Sequence, residues 1–463
     1  MVIKFGTDGW RGVIAKDFTF ENLKKVALAH AAVLKEENAE KVFIGYDRRF
    51  MSENFAREVA TIFYSEGFEV NLSPKEVTTP LVSWAVKYKN FDGGVMITAS
   101  HNPSIYNGYK IKEFFGGSAT PEFTSWVEKL VGKVTPEVQH GVEPGMLTEE
   151  DYTEEYIDAV RALVNADVFR EREVKIVHDP MFGSASGYLT RALEGTKVQV
   201  LSIRSYRDPL FGGSSPEPVE KNAAVVKEKV RAEGAFCGIM NDGDGDRVAL
   251  VDERGNFVNT QLVYALLLWH LLENKQKRGT VVKTVSVTYL ADRIAREYGV
   301  ELVETPVGFK HINRVILERN DVIFAGEESG GYGFPEFLPE RDGLLSSLYL
   351  LELFLLKGKN PSEVVKELFN RFGEAYYKRI DLPVSDREKE KLKELIKSPP
   401  EKLAGLRVEK VKTLDGLKLV FENDGWVLMR PSGTEPLMRL YCEMPSIELT
   451  ERVLKEVEKL FKG

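Results

Sequence analysis

The stretch Val42-Phe43-Ile44-Gly45-Tyr46-Asp47 decides the fold. Apolar and small residues run together and end on a carboxylate, as in a short strand buried on both faces. Helical spacing follows: Phe55, Val59, Ile62 and Phe63 fall on one face between Glu53 and Gly67, and Gly67 supplies a stop. Phe68 to Leu72 then reads as a strand, Pro80 to Tyr88 as a helix and Gly94 to Ile97 as a strand. Buried strands alternating with helices predict a mostly parallel sheet covered by helices on both faces.

Working outward, the pattern recurs. Val174 to Val177, Val198 to Ile203 and Phe236 to Met240 read as strands, with helices over Ala185–Leu193 and Val219–Ala232. A third round has strands at Thr280–Val282, Leu302–Val303 and Val322–Ala325, with helices over Leu290–Tyr298 and Phe309–Leu317. The end of the chain differs. A charged helix over Asp386–Lys397 stops at Ser398-Pro399-Pro400, four short strand-like runs follow between Leu406 and Tyr441, and Leu449–Phe461 closes as a helix. Turn-rich stretches near Pro144-Gly145, Glu253–Asn256 and Phe372-Gly373 divide the chain into 1–144, 145–252, 253–371 and 372–463. The expected fold is α/β: three α/β domains with mixed, mostly parallel sheets, then a smaller C-terminal α+β domain.

The 463 residues carry 63 Lys and Arg against 71 Asp and Glu, a net charge of -8. That balance excludes a general nucleic-acid binder, which carries a basic face, but leaves room for a local cationic site. The two cysteines, Cys237 and Cys442, are too few for a disulfide framework or a four-cysteine zinc site. MVIKFGTDGW has no secretory pattern. The apolar runs Tyr264–Leu272 and Leu348–Leu356 are shorter than a bilayer span and fit buried helices. A cytoplasmic protein with no membrane partner is expected.

Each round ends in a loop able to carry chemistry, and ligand sites of such folds lie at the carboxyl ends of strands. The first is Thr98-Ala99-Ser100-His101-Asn102-Pro103, which reads either as a nucleophilic hydroxyl or as a polar turn. It has no G-x-S-x-G elbow, so a hydrolase triad is not supported. The second is Asp242-Gly243-Asp244-Gly245-Asp246-Arg247. Its glycines let alternate carboxylates converge, and converging carboxylates need a cation with hard oxygen preference, Mg²⁺ before Ca²⁺. An EF-hand is set aside because Arg247 stands where that loop needs Gly and Val248–Val251 reads as strand. The third, Gly326-Glu327-Glu328-Ser329-Gly330-Gly331, suits a polyhydroxy ligand or the start of a helix. In the C-terminal part, Arg430-Pro431-Ser432-Gly433-Thr434-Glu435-Pro436 reads as a phosphate cradle or a hairpin turn. Gly183–Gly187 matches no nucleotide-loop spacing, and His30, His140 and His270 receive no role.

Together with Phe5-Gly6-Thr7-Asp8-Gly9-Trp10-Arg11-Gly12, these loops resemble, in order and over essentially the whole chain, the α-D-phosphohexomutases. Val307–Lys310 and Pro339–Gly343 also look like segments of that family. The resemblance implies four domains around one central cleft and a phosphoserine at Ser100. It implies Mg²⁺ held by Asp242, Asp244, Asp246 and the Ser100 phosphate. It further implies interconversion of hexose 6-phosphate and hexose 1-phosphate through a hexose 1,6-bisphosphate, with glucose 1,6-bisphosphate as activator. His101, Lys110, Arg11 and Arg247 would serve the transfer. Lys310, Glu327 and Ser329 would bind the sugar, and Arg430, Ser432, Gly433 and Thr434 the distal phosphate. Phosphoglucosamine mutases, and some dual phosphomannomutase/phosphoglucomutase members, end the sugar loop in His where this chain has Gly331, which weakens a glucosamine reading and leaves open whether another residue replaces the histidine. Phosphoglucosamine mutase, a simple phosphatase and a silent sugar-phosphate-binding relative stay open beside the leading reading. The oligomeric state is not readable.

Overall fold

A computed structural model describes residues 3–134, 147–431 and 437–462. Among them the chain forms four sheets. The first orders its strands Trp10–Val13, Tyr106–Glu113, Gly93–Ile97, Lys41–Tyr46, Glu69–Leu72 and Leu147–Glu149. The stretch at Val42 is its central strand, parallel to Gly93–Ile97 and to Glu69–Leu72. The second sheet has Val174–Asp179 parallel to Val198–Ser202 and to Cys237–Asn241. The third has Thr280–Thr284 parallel to Leu302–Thr305 and to Val322–Gly326.

One local plan is used three times. After its last parallel strand, each chain segment makes a loop and returns as an antiparallel strand. Gly93–Ile97 returns as Tyr106–Glu113, Cys237–Asn241 as Val248–Val251, and Val322–Gly326 as Tyr332–Phe334. A tight return holds both ends of the loop in the sheet, so the Ser100, Asp242 and Glu327 loops are each anchored on two strands. The second sheet extends through Phe257–Val258.

The fourth sheet is wholly antiparallel, in the order Tyr376–Pro383, Leu437–Met444, Trp426–Pro431, Leu417–Phe421, Leu406–Lys412 and Lys402–Leu403. Helices Asp386–Lys397 and Ile447–Lys462 accompany it. Helix Val219–Ala232 of the sequence reading begins later, at Ala224, behind a short 3₁₀ turn over Glu220–Asn222. Helices Phe20–Glu36 and Pro361–Phe372 were not read from the sequence. The boundary proposed at Pro144-Gly145 lies outside the described residues.

The two apolar runs are the buried helices Thr260–Glu273, capped by Asn259, and Gly343–Lys357, capped by Asp342. No helix among the described residues is long and apolar enough to cross a membrane. Both helices lie in one core that also takes Phe43 and Val86 from the first unit, Ile176 from the second and Trp426 from the fourth. This shared core fixes the three anchored loops relative to one another.

Candidate functional site

Ser100 is fully buried and left-handed, at φ 51°. A non-glycine residue held there costs about 1–3 kcal/mol and persists only where its surroundings impose it. Here the imposing group is Arg49. Its guanidinium donates to the carbonyls of Ser100 at 2.5 Å, Asn102 at 2.7 Å, Pro103 at 2.9 Å and Tyr106 at 3.2 Å. Asp47, the carboxylate ending the central strand, pairs with Arg49 and accepts from Thr98 Oγ1, while Thr98 Oγ1 accepts from the Ser100 amide. Arg11 adds a bond to Asn102 at 2.6 Å.

The second loop meets the first. Ser100 Oγ donates to Asp242 Oδ2 at 2.8 Å, across 142 residues of chain. A Cβ at Gly243 would stand 2.6 Å from the Ser100 carbonyl oxygen, and one at Gly183 would stand 2.7 Å from the Gly243 carbonyl oxygen. The Gly183 loop thus packs against the backbone of the aspartate loop. Asp242, Asp244 and Asp246 are all buried and offer ligand oxygens within 4.8 Å of one another. Burial, then the charges of Asp246 and Asp244, push the Asp242 carboxyl well above its usual range.

Two observations test whether a cation fits. Asp244 Oδ1 and Asp246 Oδ1 are buried without a hydrogen-bond partner. Their other oxygens are taken: Lys110 Nζ lies 2.7 Å from Asp244 Oδ2 and 3.0 Å from Asp246 Oδ2, and Thr79 donates to Asp244. Unpartnered buried acceptors are costly. These two oxygens, with Asp242 and the Ser100 hydroxyl, form a hard donor set that suits Mg²⁺.

Cations line the other side. Burial opposes the charge on Lys110, but Asp244, Asp246 and Asp8 override it and hold the ammonium above its ordinary pKa. Arg341 pairs with Asp8, Asp246 and Glu340. Arg247 Nε is 3.9 Å from both Asp242 and Asp246. His101 Nδ1 lies 3.4 Å from Ser100 Oγ, and burial followed by the charges of Arg247 and Arg11 holds its pKa well below the usual value, so the imidazole is neutral.

The third loop joins through backbone. Val248, on the strand leaving the aspartate loop, donates to the Gly330 carbonyl at 2.9 Å. Glu327 accepts from the Gly308 amide at 3.0 Å and faces Arg341 at 3.7 Å. Ser329 is half-buried in the same loop. Lys310 reaches back to the Gly6 carbonyl at 3.2 Å. A Cβ at Gly331 would meet Arg341 Cδ at 2.3 Å, so Arg341 passes through the space a side chain at 331 would need.

Three of the four predicted loops therefore come together. Arg430 is not among the groups touching Ser100 or the aspartates. It donates to Asp415 Oδ2 at 2.8 Å, and that oxygen also accepts from the Val307 amide at 2.9 Å. Ser432, Gly433 and Thr434 lie outside the described residues. The sequence reading missed Asp47, Arg49, Thr79, Asp8 and Arg341. Asp8 and Arg341 stood inside segments already singled out. The pair Arg48-Arg49, charged and just after a buried strand, was the available sign for Arg49.

A buried hydroxyl against three carboxylates, ringed by cations, is a class of site suited to moving a phosphoryl group, which needs charge placement more than covalent help. Comparison with known proteins agrees. Family models described as phosphoglucomutase/phosphomannomutase domains I, II and III and C-terminal domain match residues 2–137, 154–255, 259–372 and 385–460. A "Phosphoglucomutase/phosphomannomutase" of Thermococcus kodakarensis is 34% identical over 468 residues, with 99% of each chain covered. A "Probable phosphoglucosamine mutase" of Pyrococcus abyssi is 34% identical over 469 residues, covering 99% of this chain and 97% of that one. A crystal structure described as "putative phosphomannomutase" from Thermus thermophilus is similar at TM-score 0.88 and 37% identity, with 100% of both chains covered. The chain belongs to the phosphoglucomutase/phosphomannomutase family, whose members are mutases of phosphorylated hexoses.

Proposed function

We propose that the protein interconverts hexose 1-phosphate and hexose 6-phosphate of glucose or mannose. Ser100 would carry the phosphoryl group and a hexose 1,6-bisphosphate would be the intermediate. The observation that supports this most is the 2.8 Å bond from Ser100 Oγ to Asp242, inside a triad with two unpartnered carboxylate oxygens. Asp242, Asp244, Asp246 and the Ser100 oxygen would hold Mg²⁺, which when bound supplies positive charge to the phosphoryl oxygens. Lys110, held cationic by three carboxylates, and Arg247 and Arg11 present further positive charge to the same place. His101, neutral beside Ser100, would share with Lys110 and Arg11 the handling of the proton on the attacking sugar hydroxyl. Glu327, Ser329 and Lys310 bind the sugar, and Arg430 with Ser432, Gly433 and Thr434 grips the phosphate that does not react. The bisphosphate reloads Ser100 through its second phosphate, which makes glucose 1,6-bisphosphate the activator. The reaction belongs in the cytoplasm. Intact Ser100 and all three aspartates speak against a silent relative.

Intact mass after incubation with glucose 1,6-bisphosphate should rise by one phosphate in the wild type and not in Ser100→Ala. Full mutase activity in Ser100→Ala would overturn the proposal. Free phosphate released in step with substrate loss would mark a phosphatase instead.

The second reading, phosphoglucosamine mutase, is favoured by the name of the Pyrococcus abyssi relative. Against it stands Gly331, where a histidine side chain would collide with Arg341. Turnover of glucosamine 1-phosphate faster than glucose 1-phosphate and mannose 1-phosphate would decide for it.

A further inference from the structure

A second cationic recess lies between the third and fourth sheets and shares no residue with the Ser100 site. It is a cavity of about 80 Å³. One wall comes from strand Thr280–Thr284 and helix Leu290–Tyr298, and the other from strands Leu406–Lys412, Leu417–Phe421 and Trp426–Pro431. Its lining carries Lys283, Arg296, Lys410, Lys412 and Lys418, against only Asp292 and Asp424.

The existing pairs offset this charge only in part, although the buried Glu443, which accepts from Tyr289 and Trp426 of the lining, adds a further carboxylate near Lys283. Lys283 pairs with Asp292. Glu304, behind the wall, is shared by Lys412 and Lys418. Asp424 is engaged by Arg293 from outside the lining. Lys410 and Arg296 are exposed at the mouth, with no ion-pair partner among the described residues. At the base, Lys283 and Lys418 are buried side by side, and Lys418 Nζ sits 4.5 Å from the centre of the Trp426 ring. Burying like charges together is unfavourable unless an anion joins them. Burial and the neighbouring Lys283 charge accordingly pull the Lys418 amine down to about 8.

We propose that this recess binds a phosphate dianion, free or carried as a phosphomonoester. Two features fit that ligand. The volume accommodates one phosphate group but not a sugar ring beside it, and the exposed Lys410 and Arg296 leave room for an ester substituent to project outward. Five cations against Asp292, the shared Glu304 and Glu443 leave positive charge, carried at the mouth by Lys410 and Arg296, and clustered ammonium groups match a compact dianion better than a planar carboxylate, which guanidinium forks favour. Because the walls belong to two different sheets, the bound anion also braces the C-terminal unit against the third.

The test is site-resolved lysine acylation of the full chain at pH 8, read by peptide mass spectrometry. Rates are compared in inorganic phosphate and in potassium chloride of equal ionic strength. Phosphate at ten times its Kd should slow labelling of Lys410, Lys412 and Lys418 by about tenfold through simple occupancy, and leave the exposed Lys393 unchanged. Glycerol 3-phosphate forms a second arm: protection at lower concentration than inorganic phosphate assigns the site to phosphomonoesters, and the reverse assigns it to free phosphate. The double variant Lys410→Gln/Lys412→Gln, altered only at solvent-accessible positions, should lose the protection at Lys418. Equal rates in phosphate, glycerol 3-phosphate and chloride would overturn the proposal, as would protection that survives in the double variant.

Discussion

At the scale of single residues, Ser100 is defined by what surrounds it. A serine in a left-handed conformation, wholly buried, is an unfavourable arrangement on its own. Arg49 stabilises it by donating to four carbonyl oxygens of one loop, with its charge balanced by Asp47. A lysine keeps the charge but lacks the planar fork that reaches several acceptors at once. Arg49→Lys should therefore lower kcat by roughly tenfold to a hundredfold, since displacing a reacting atom by about 1 Å has effects of that order. The circular dichroism should stay native. A kcat equal to wild type would show that the loop holds its shape without Arg49.

At the scale of elements, glycines and shared carboxylates decide how loops and sheets meet. Gly331 leaves the passage through which Arg341 reaches Asp8 and Asp246. Gly331→Ala places a methyl group against the middle of a buried, ion-paired side chain, and overpacking of this kind destabilises by about 1–3 kcal/mol. A lowered Tm together with reduced kcat/KM is expected; an unchanged Tm would mean that Arg341 has another path. Glu304 plays the corresponding part between the third and fourth sheets, where it faces Lys412 and Lys418. Burial opposes its charge, but Lys418 and Lys283 prevail and hold its pKa at about 2. Its folded pKa lies below the unfolded one, so its stabilisation is complete above about pH 4.5 and is lost as pH falls toward 2. Glu304→Gln leaves Lys418 buried without its carboxylate, which costs about 3–5 kcal/mol at neutral pH. The Tm difference between variant and wild type should narrow below pH 4.5, and a difference independent of pH would exclude this cause.

At the scale of the whole molecule, three loops from three sheets are held against one another by a common core that Trp426 of the C-terminal unit also joins, and Asp415 is one of that unit's links to the third. That carboxylate joins Arg430 to the Val307 amide of the third unit. On the proposed function, Arg430 exchanges Asp415 for a substrate phosphate as the C-terminal unit closes. A mutase must bind one ligand in two orientations, so this contact cannot depend on which end of the sugar is presented. Arg430→Ala should weaken glucose 1-phosphate and mannose 1-phosphate alike, by about tenfold to a hundredfold for one charge-assisted bond. Glu327→Gln should change their ratio instead. An Arg430→Ala effect confined to one sugar would remove Arg430 from the distal phosphate.

Much of this was legible in the chain alone. Buried strands announce themselves by continuous apolar runs, so the strand at Val42 and the alternation after it were readable, as were the loops at Ser100, Asp242 and Glu327. Spacing along the chain also made the aspartates a candidate cation site, because Gly243 and Gly245 let the loop curl tightly enough for alternate carboxylates to converge. What the chain did not show was pairing at a distance. The antiparallel return at Tyr106–Glu113 alternates over Tyr109-Lys110-Ile111-Lys112 as a half-exposed strand would, yet both its faces are buried, with Lys110 and Lys112 against charged partners. Arg49, Asp8 and Arg341 are charged residues in an ordinary-looking context. Their roles arise from contacts as far apart in sequence as Asp8 and Arg341, 333 residues. Local propensity and hydrophobic pattern are properties of neighbours along the chain, whereas the charge balance of a buried site is a sum over groups that only the folded core brings within a few ångströms.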